Sequence, residues 1–143
     1  MEHAQRSPLN ARILVVDDTQ ANVMLMDSIL RTEGFTEIWS TSDPREVKPL
    51  QEKLGFNLII LDIDMRHMNG FQVMEALADD IRSGGLQVLV ITALSENAAR
   101  PRALELGAGD VITLPYARSD ALARIHTLLG RSIAARVNKR GRK

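Results

Sequence analysis

Three short apolar runs constrain the fold of this chain more than any other feature of its sequence. They read ILVV from residue 13, LIIL from residue 58 and VLVI from residue 88. Each run is rich in β-branched residues and lacks the polar–apolar alternation of a half-exposed strand. Such runs are typical of strands that are buried on both faces, which occur in parallel sheets covered by helices on both sides.

Two weaker strand candidates, 37–41 and 110–113, complete a set of five. Helical patterns lie between the strands, and the apolar spacing predicts helices over residues 20–33 and 71–82. A strand followed by a helix, repeated five times, predicts an α/β fold with a doubly wound, five-stranded parallel sheet. Helices then cover both faces of the sheet, in a flavodoxin-like (βα)5 arrangement.

The length of 143 residues corresponds to one domain. We expect a flexible N-terminus over residues 1–10, a domain over 11–129, and a basic tail or helical linker extension over 130–143. From residue 131 onward the chain carries six basic side chains and no acidic one. A basic tail can bind nucleic acid, but this one lacks interleaved aromatic residues and a recognition helix, so we expect a linker instead.

An apolar stripe formed by Leu129, Ile133 and Val137 runs across Gly130. A glycine within a helix costs only about 1 kcal/mol, so the last helix either continues past Gly130 or ends there with a frayed tail. In a continuing helix, the stripe would leave an apolar edge for a partner, most simply a second copy of the chain.

Composition excludes several classes of protein. The chain has no cysteine, which rules out disulfides, iron–sulfur clusters and cysteine-ligated zinc. No apolar run approaches the roughly 20 residues of a membrane span, and the first twelve residues are too polar for a signal peptide. We therefore expect a soluble, cytoplasmic protein without membrane contacts.

Acidic residues follow two of the predicted strands. Asp17 and Asp18 come after the first strand, Asp62 ends the third, and Thr92 ends the fourth. The carboxyl ends of parallel strands meet at one edge, where three carboxylates repel one another unless a cation lies between them. Oxygen ligands of this kind suit Mg²⁺, and a carboxylate beside a metal and a hydroxyl is suited to phosphoryl transfer onto aspartate. The alternative is that these residues cap helices.

The segments ILVVDD, LIILDIDMRHMNG, VLVITA and GAGDVITLPY together resemble the receiver domain of bacterial two-component response regulators. The resemblance implies that Asp62 is the phosphoacceptor. It also implies that Asp18 and Asp62 ligate Mg²⁺, together with the backbone carbonyl of Asp64. Asp17 matches the acid that holds metal-bound water, and Thr92 matches the hydroxyl that binds the phosphoryl group.

This resemblance covers roughly residues 11–129, and Gly70 matches the family's loop glycine. It implies that a sensor histidine kinase or phosphotransfer protein donates the phosphate. The domain then changes its contacts with an output domain or a partner protein. Such a domain is not an enzyme beyond its own phosphoryl transfer, although an attached output domain could be one.

Three positions depart from the family's pattern. Leu114 precedes Pro115 where the family has a lysine, and Val111 stands where it has a switching aromatic residue. Arg66 replaces a common proline, and it either supplies a cation or is a solvent-facing loop residue. These departures leave open an atypical receiver that signals through protein–protein interaction without phosphorylation.

The alternative from another class is a small phosphatase. Asp62-Ile63-Asp64 superficially resembles the nucleophile motif of haloacid-dehalogenase-type hydrolases. That class also needs a nearby threonine, a later lysine–acid motif and a cap, and the sequence provides none of them. The receiver hypothesis is therefore preferred.

Overall fold

Five parallel strands form one sheet, and the computed structural model describes residues 8–65, 68–93 and 99–141. The strands are β1 (Arg12–Val16), β2 (Glu37–Thr41), β3 (Leu58–Asp62), β4 (Gln87–Thr92) and β5 (Asp110–Thr113). Their order across the sheet is β2-β1-β3-β4-β5, and every neighbouring pair is parallel. The predicted doubly wound, flavodoxin-like sheet is confirmed.

Helices connect successive strands, and a last helix follows β5. They are α1 (Gln20–Glu33), α2 (Val47–Leu54), α3 (Gly70–Ala76), α4 (Ala78–Ser83), α5 (Ala99–Glu105) and α6 (Arg118–Gly141), with a short 3₁₀ turn at Pro44–Glu46 before α2. The predicted helix over 20–33 is confirmed. It ends at Gly34, whose φ of 112° lies in the left-handed region that favours glycine.

The central strands are buried on both faces, as their unalternating sequences predict. Side chains of β1, β3 and β4 alternate between two apolar clusters. One cluster packs the sheet against α1 and α6, and the other packs it against α2, α3 and α5. Each fully buried valine, leucine or isoleucine stabilises the fold by roughly 1.5–3 kcal/mol relative to leaving it exposed.

The single helix predicted over residues 71–82 is wrong, because the chain breaks at Leu77 into α3 and α4. Leu77 has φ −100° and ψ 11° and is fully buried. Asp79 and Asp80 then fall in the first turn of α4, where the helix dipole favours acidic side chains. The apolar spacing continues across the break and therefore conceals it.

The last helix continues past Gly130 and ends at Gly141. Its extension is fixed to the loops that precede β3 and β4. The fully buried Ser132 donates its hydroxyl hydrogen to the carbonyl of Gly85 (2.5 Å) and accepts a hydrogen bond from the side-chain amide of Asn57 (3.1 Å).

Arg136 adds a second attachment one turn further along α6. Its guanidinium donates to the carbonyl oxygens of Gly85 (3.1 Å) and Phe56 (2.7 Å). Together, Ser132 and Arg136 hold the extension against the amino-terminal edge of the sheet. The extension is therefore part of the packed domain rather than a frayed tail.

The apolar stripe on α6 is largely used inside the domain. Leu129 is fully buried and Ile133 is half-buried, whereas Val137 is 56% exposed. Little of the stripe is therefore left for a second copy of the chain. None of the helices in the described ranges is long and apolar enough to cross a membrane.

We predict that Ser132→Ala lowers the free energy of unfolding by about 1–3 kcal/mol, because it leaves the Asn57 amide and the Gly85 carbonyl without this partner. Urea unfolding measures the loss. The matched control is Ser28→Ala, at an exposed position of α1, which should change stability by less than about 0.5 kcal/mol. Equal effects of the two substitutions would contradict the anchoring role of Ser132.

Candidate functional site

The pairing of β1 with β3 brings three acidic side chains together. Val16 lies opposite Leu61 in this ladder, so Asp17 and Asp18, which follow Val16, lie beside Asp62. One carboxylate oxygen from each of the three aspartates lies within 4.8 Å of the others. Asp17 is buried, and Asp18 and Asp62 are half-buried. The juxtaposition expected from the sequence is present.

Backbone amides orient two of these carboxylates. The Asp17 carboxylate accepts a hydrogen bond from the Thr19 N–H (2.9 Å), and the Asp62 carboxylate accepts one from the Asp64 N–H (3.1 Å). Both are two-residue turns of the kind that aspartate favours. The turns fix the two carboxylates at the start of the loops that follow β1 and β3.

The alternative that the three aspartates cap helices is wrong. The N-cap residue of α1 is Thr19, which makes no side-chain capping bond. The N-cap residue of α3 is Asn69, which forms a capping box with Gln72. The helices that follow β1 and β3 therefore do not use the three aspartates as caps.

The environment of Asp62 favours its neutral form. Burial, together with the neighbouring Asp17 and Asp18, raises the pKa of the Asp62 carboxyl to about 7, against the opposing hydrogen bond from the Asp64 N–H. The closeness of the three carboxylates therefore favours the protonated form of Asp62. A divalent cation relieves such repulsion, and three carboxylate oxygens at this spacing fit the oxygen ligands of Mg²⁺.

Thr92 and Asp64 lie at the same edge of the sheet. Thr92 ends β4, is buried, and accepts a hydrogen bond on its backbone carbonyl from the Leu114 N–H (2.9 Å). Asp64 is exposed, and its carboxylate is outside the three-residue group. Its backbone, rather than its side chain, is the part directed to Asp62.

Gly70 allows α3 to begin in direct contact with the end of β3. Its N–H donates to the Ile63 carbonyl (3.1 Å). A Cβ atom at this position would lie 2.6 Å from the Ile63 Cα and 2.9 Å from the Asp62 carbonyl oxygen. The reason for a glycine here is this close approach of two backbone segments.

A small cavity lies beneath the acidic cluster, on the side of the sheet that faces α1 and α6. Its volume is about 20 Å³, which is room for one water molecule. Its walls combine apolar side chains with a few polar ones: Val15, Val16, Asp17, Asn22, Met26, Ile60, Asp62, Ile91, Leu114 and Tyr116. Within the described ranges, none of the residues that line it is a lysine or an arginine.

The three residues that depart from the family's sequence pattern lie in different parts of the chain. Leu114 is half-buried and packs against the cluster between the sheet, α1 and α6. Val111 is buried in the opposite cluster. Arg66 lies outside the described residues.

Sequence reasoning missed Tyr116. Its side chain is half-buried, and it lines the cavity together with Asp17 and Asp62. Burial raises the pKa of Tyr116, and the nearby charge of Asp17 raises it further. The signal was available, because Tyr116 follows β5 by three residues and therefore lies at the same edge as the acids.

The fold and the acidic edge of the sheet together define a class of protein. Residues 13–126 match the response regulator receiver domain. The chain therefore belongs to the family of response regulator receiver domains. Membership of this family decides against the haloacid-dehalogenase interpretation.

Individual relatives agree with this assignment. The chain is 36% identical over 120 residues to the response regulator PleD of Caulobacter vibrioides, an alignment that covers 84% of this chain and 26% of PleD. It is 31% identical over 123 residues to the transcriptional regulatory protein YvrH of Bacillus subtilis, covering 86% of this chain and 51% of YvrH. The chain thus spans about a quarter to a half of these relatives.

Solved structures show the same fold. A CheY-like receiver domain protein from Methanospirillum hungatei JF-1 is 27% identical with a TM-score of 0.78, covering 87% of this chain and 98% of that one. A chain of the CheX–CheY–BeF3–Mg²⁺ complex from Borrelia burgdorferi is 25% identical with a TM-score of 0.75, covering 82% and 88%. Receiver domains bind Mg²⁺ at a cluster of aspartates and are phosphorylated.

We predict that the metal-free domain loses stability as the pH rises from about 4 to about 7. Over this range the unfolded chain releases the Asp62 proton, whereas the folded chain retains it, so the free energy of unfolding falls. Asp62→Asn should remove this fall and be more stable than the wild type above pH 7. Because Asp62 is only half-buried and solvent screens its charge, we expect a gain of about 1 kcal/mol.

Urea unfolding in the presence of a chelator, at several pH values, measures this effect. Asp79→Asn is the matched control, since the Asp79 side chain is 94% exposed, and it should leave the pH dependence unchanged. A parallel pH dependence in the wild type and Asp62→Asn would contradict the electrostatic description of the cluster.

We predict that Gly70→Ala lowers the free energy of unfolding by about 1–3 kcal/mol, because the added methyl group collides with the backbone of Ile63 and Asp62. Gly130→Ala is the control: a Cβ there meets no atom within 4 Å, and the substitution within a helix should stabilise by about 0.5–1 kcal/mol. Denaturant unfolding compares the two variants. A Gly70→Ala domain as stable as the wild type would contradict the close approach.

Proposed function

We propose that this chain accepts a phosphoryl group on Asp62, with Mg²⁺ bound at the acidic edge of the sheet. The observation that supports this proposal is that one carboxylate oxygen from each of Asp17, Asp18 and Asp62 lies within 4.8 Å of the others. Burial and the neighbouring acids also raise the pKa of the Asp62 carboxyl. This arrangement is costly for a domain without a cation, and it presents a carboxylate oxygen at the mouth of two loops.

The metal ligands that we propose are the carboxylates of Asp18 and Asp62 and the backbone carbonyl of Asp64, with Asp17 acting through metal-bound water. When bound, Mg²⁺ neutralises charge on the carboxylates and on the transferred phosphoryl group. The Asp62 turn supports this assignment, because the hydrogen bond from the Asp64 N–H holds one carboxylate oxygen in place.

Transfer proceeds by attack of an Asp62 carboxylate oxygen on the phosphorus atom of a donor. For a phosphohistidine donor, the new O–P bond forms as the P–N bond breaks, and the electron pair of that bond returns to the imidazole. The hydroxyl of Thr92 would donate a hydrogen bond to a phosphoryl oxygen. Leu114 keeps one wall of the site apolar, which limits the access of water to the acyl phosphate.

The donor that we propose is a sensor histidine kinase or a phosphotransfer protein, and the setting is the cytoplasm. Receiver-domain family membership and the alignment to response regulators support this assignment. We assign the receiver domain to residues 11–129 and a basic tail or helical linker extension to residues 130–143. An output domain attached to the extension is part of the proposal, since the matched relatives are two to four times as long as the alignment.

Homodimerisation through α6 is a further part of the proposal. Its support is the exposed Val137, because Leu129 and most of Ile133 are already packed inside the domain.

Signalling without phosphorylation is the second candidate function. It is favoured by the cavity beneath the acids, where the described lining residues include no cationic side chain to hold a phosphoryl oxygen. Val111 also supports this candidate function, because a small buried residue stands where a switching aromatic residue would be expected.

Mass spectrometry after incubation with acetyl phosphate and Mg²⁺ tests the proposal. We expect one added phosphate in the wild type and in the control Asp79→Asn, and none in Asp62→Asn or with a chelator. A stable adduct on a serine, threonine or histidine, or equal labelling of Asp62→Asn, would contradict the carboxylate chemistry. An unlabelled wild type would favour the phosphorylation-independent alternative.

A further inference from the structure

Phosphorylation of Asp62 creates a need for hydrogen-bond donors. A phosphoryl group adds about 1.5–2 negative charges beside two other carboxylates. Of the described residues that line the adjoining cavity, the side chains that can donate a hydrogen bond are those of Asn22 and Tyr116. One of them is therefore well placed to contact the new charge.

Tyr116 is held in position by its packing. It belongs, with Leu114, to the partly buried side chains that pack against the apolar cluster between the sheet, α1 and α6. It also lines the same cavity as Asp17 and Asp62. A phenol keeps its proton at neutral pH, so the Tyr116 hydroxyl can act as a hydrogen-bond donor.

We propose that the Tyr116 hydroxyl donates a hydrogen bond to a phosphoryl oxygen on Asp62 and so stabilises the phosphorylated state. The inference rests on the proposed function and adds to it a second hydrogen-bond donor, beside the Thr92 hydroxyl that we assign to the phosphoryl group. The phenol keeps its proton throughout, and no covalent bond to Tyr116 forms or breaks.

Tyr116 is favoured over Asn22 by its surroundings. The Leu114 and Met26 side chains line the cavity with it, and a hydrogen bond to a charged acceptor is stronger in a dry environment than in water. Asn22 lies in the first turn of α1, near the acids that we assign to the metal. Leu114 has no polar group with which to compete for the phosphoryl oxygen.

Tyr116→Phe is the decisive variant, because it removes only the hydroxyl and preserves the ring. The probe is beryllofluoride, a phosphoryl mimic that binds an aspartate without a phosphate donor, added with Mg²⁺ and followed by ¹⁹F NMR. We expect the beryllofluoride affinity of Tyr116→Phe to be about tenfold weaker, the loss of one hydrogen bond to a charged acceptor. The Mg²⁺ affinity and the melting temperature should stay within error of the wild type.

A spectroscopic signal reports the same contact directly. The chain contains one tyrosine, so a ¹³C-labelled tyrosine ring gives a single set of resonances. Addition of beryllofluoride and Mg²⁺ should shift the Tyr116 ζ-carbon resonance in the wild type. The same addition should leave it unshifted in Asp62→Asn.

A cation at the neighbouring position should replace the lost donor. In the Tyr116→Phe background, Leu114→Lys should restore most of the beryllofluoride affinity, and it should help less in the wild type, because two donors then share one acceptor. Equal gains in both backgrounds would contradict a shared role. The comparison variant Asn22→Ala should weaken binding less than Tyr116→Phe does.

The outcomes separate this inference from the function on which it rests. Wild-type binding that Tyr116→Phe leaves unchanged, or that Asn22→Ala weakens instead, overturns the role of Tyr116 and leaves the proposed function intact. A wild-type chain that takes up neither phosphate nor beryllofluoride overturns both. A lower melting temperature with unchanged affinity would assign Tyr116 a structural role alone, which also overturns the inference.

Discussion

The parallel pairing of β1 with β3 is the constraint on which the site depends. Because Val16 is in register with Leu61, the residues that follow the two strands must share one edge, and here those residues are three aspartates. The sheet is buried on both faces, so the strands cannot slide apart to relieve the repulsion between the carboxylates without losing the apolar contacts of both clusters. The apolar packing therefore holds the three carboxylates close together. The divalent cation that we propose at this edge would relieve the repulsion among these carboxylates.

The hydrogen bonds at the two edges of the sheet differ in kind. At the amino-terminal edge, hydrogen bonds from Ser132 and Arg136 join α6 to the loops that precede β3 and β4, so that the backbone carbonyls there have partners. At the carboxyl-terminal edge, the loops after β1 and β3 turn tightly around their own aspartates. Helix α6 contributes to the cluster beneath the acids and also reaches the opposite edge.

Sequence patterns predicted the parts of the structure that depend on local composition. The apolar runs gave the strands, their connection lengths gave parallel pairing, and that pairing placed Asp17, Asp18 and Asp62 together. The break at Leu77 was not predictable from periodicity, since its spacing continues across α3 and α4. The attachment of α6 could not be predicted from the sequence either. Ser132 and Arg136 donate to a backbone carbonyl, and every residue has such a group, so the sequence does not indicate which one is bound. Tyr116 was overlooked because an aromatic residue after a strand usually signals packing.

We expect the three aspartates to form one divalent-cation site. Titration of Mg²⁺ into the metal-free domain, followed through backbone amide chemical shifts, measures this binding. Saturable changes should be largest at residues 17–19 and 62–64, and Asp62→Asn should bind Mg²⁺ much more weakly. An absence of response at residues 17, 18 and 62, or a titration that Asp62→Asn leaves unaltered, would show that the aspartates do not form such a site.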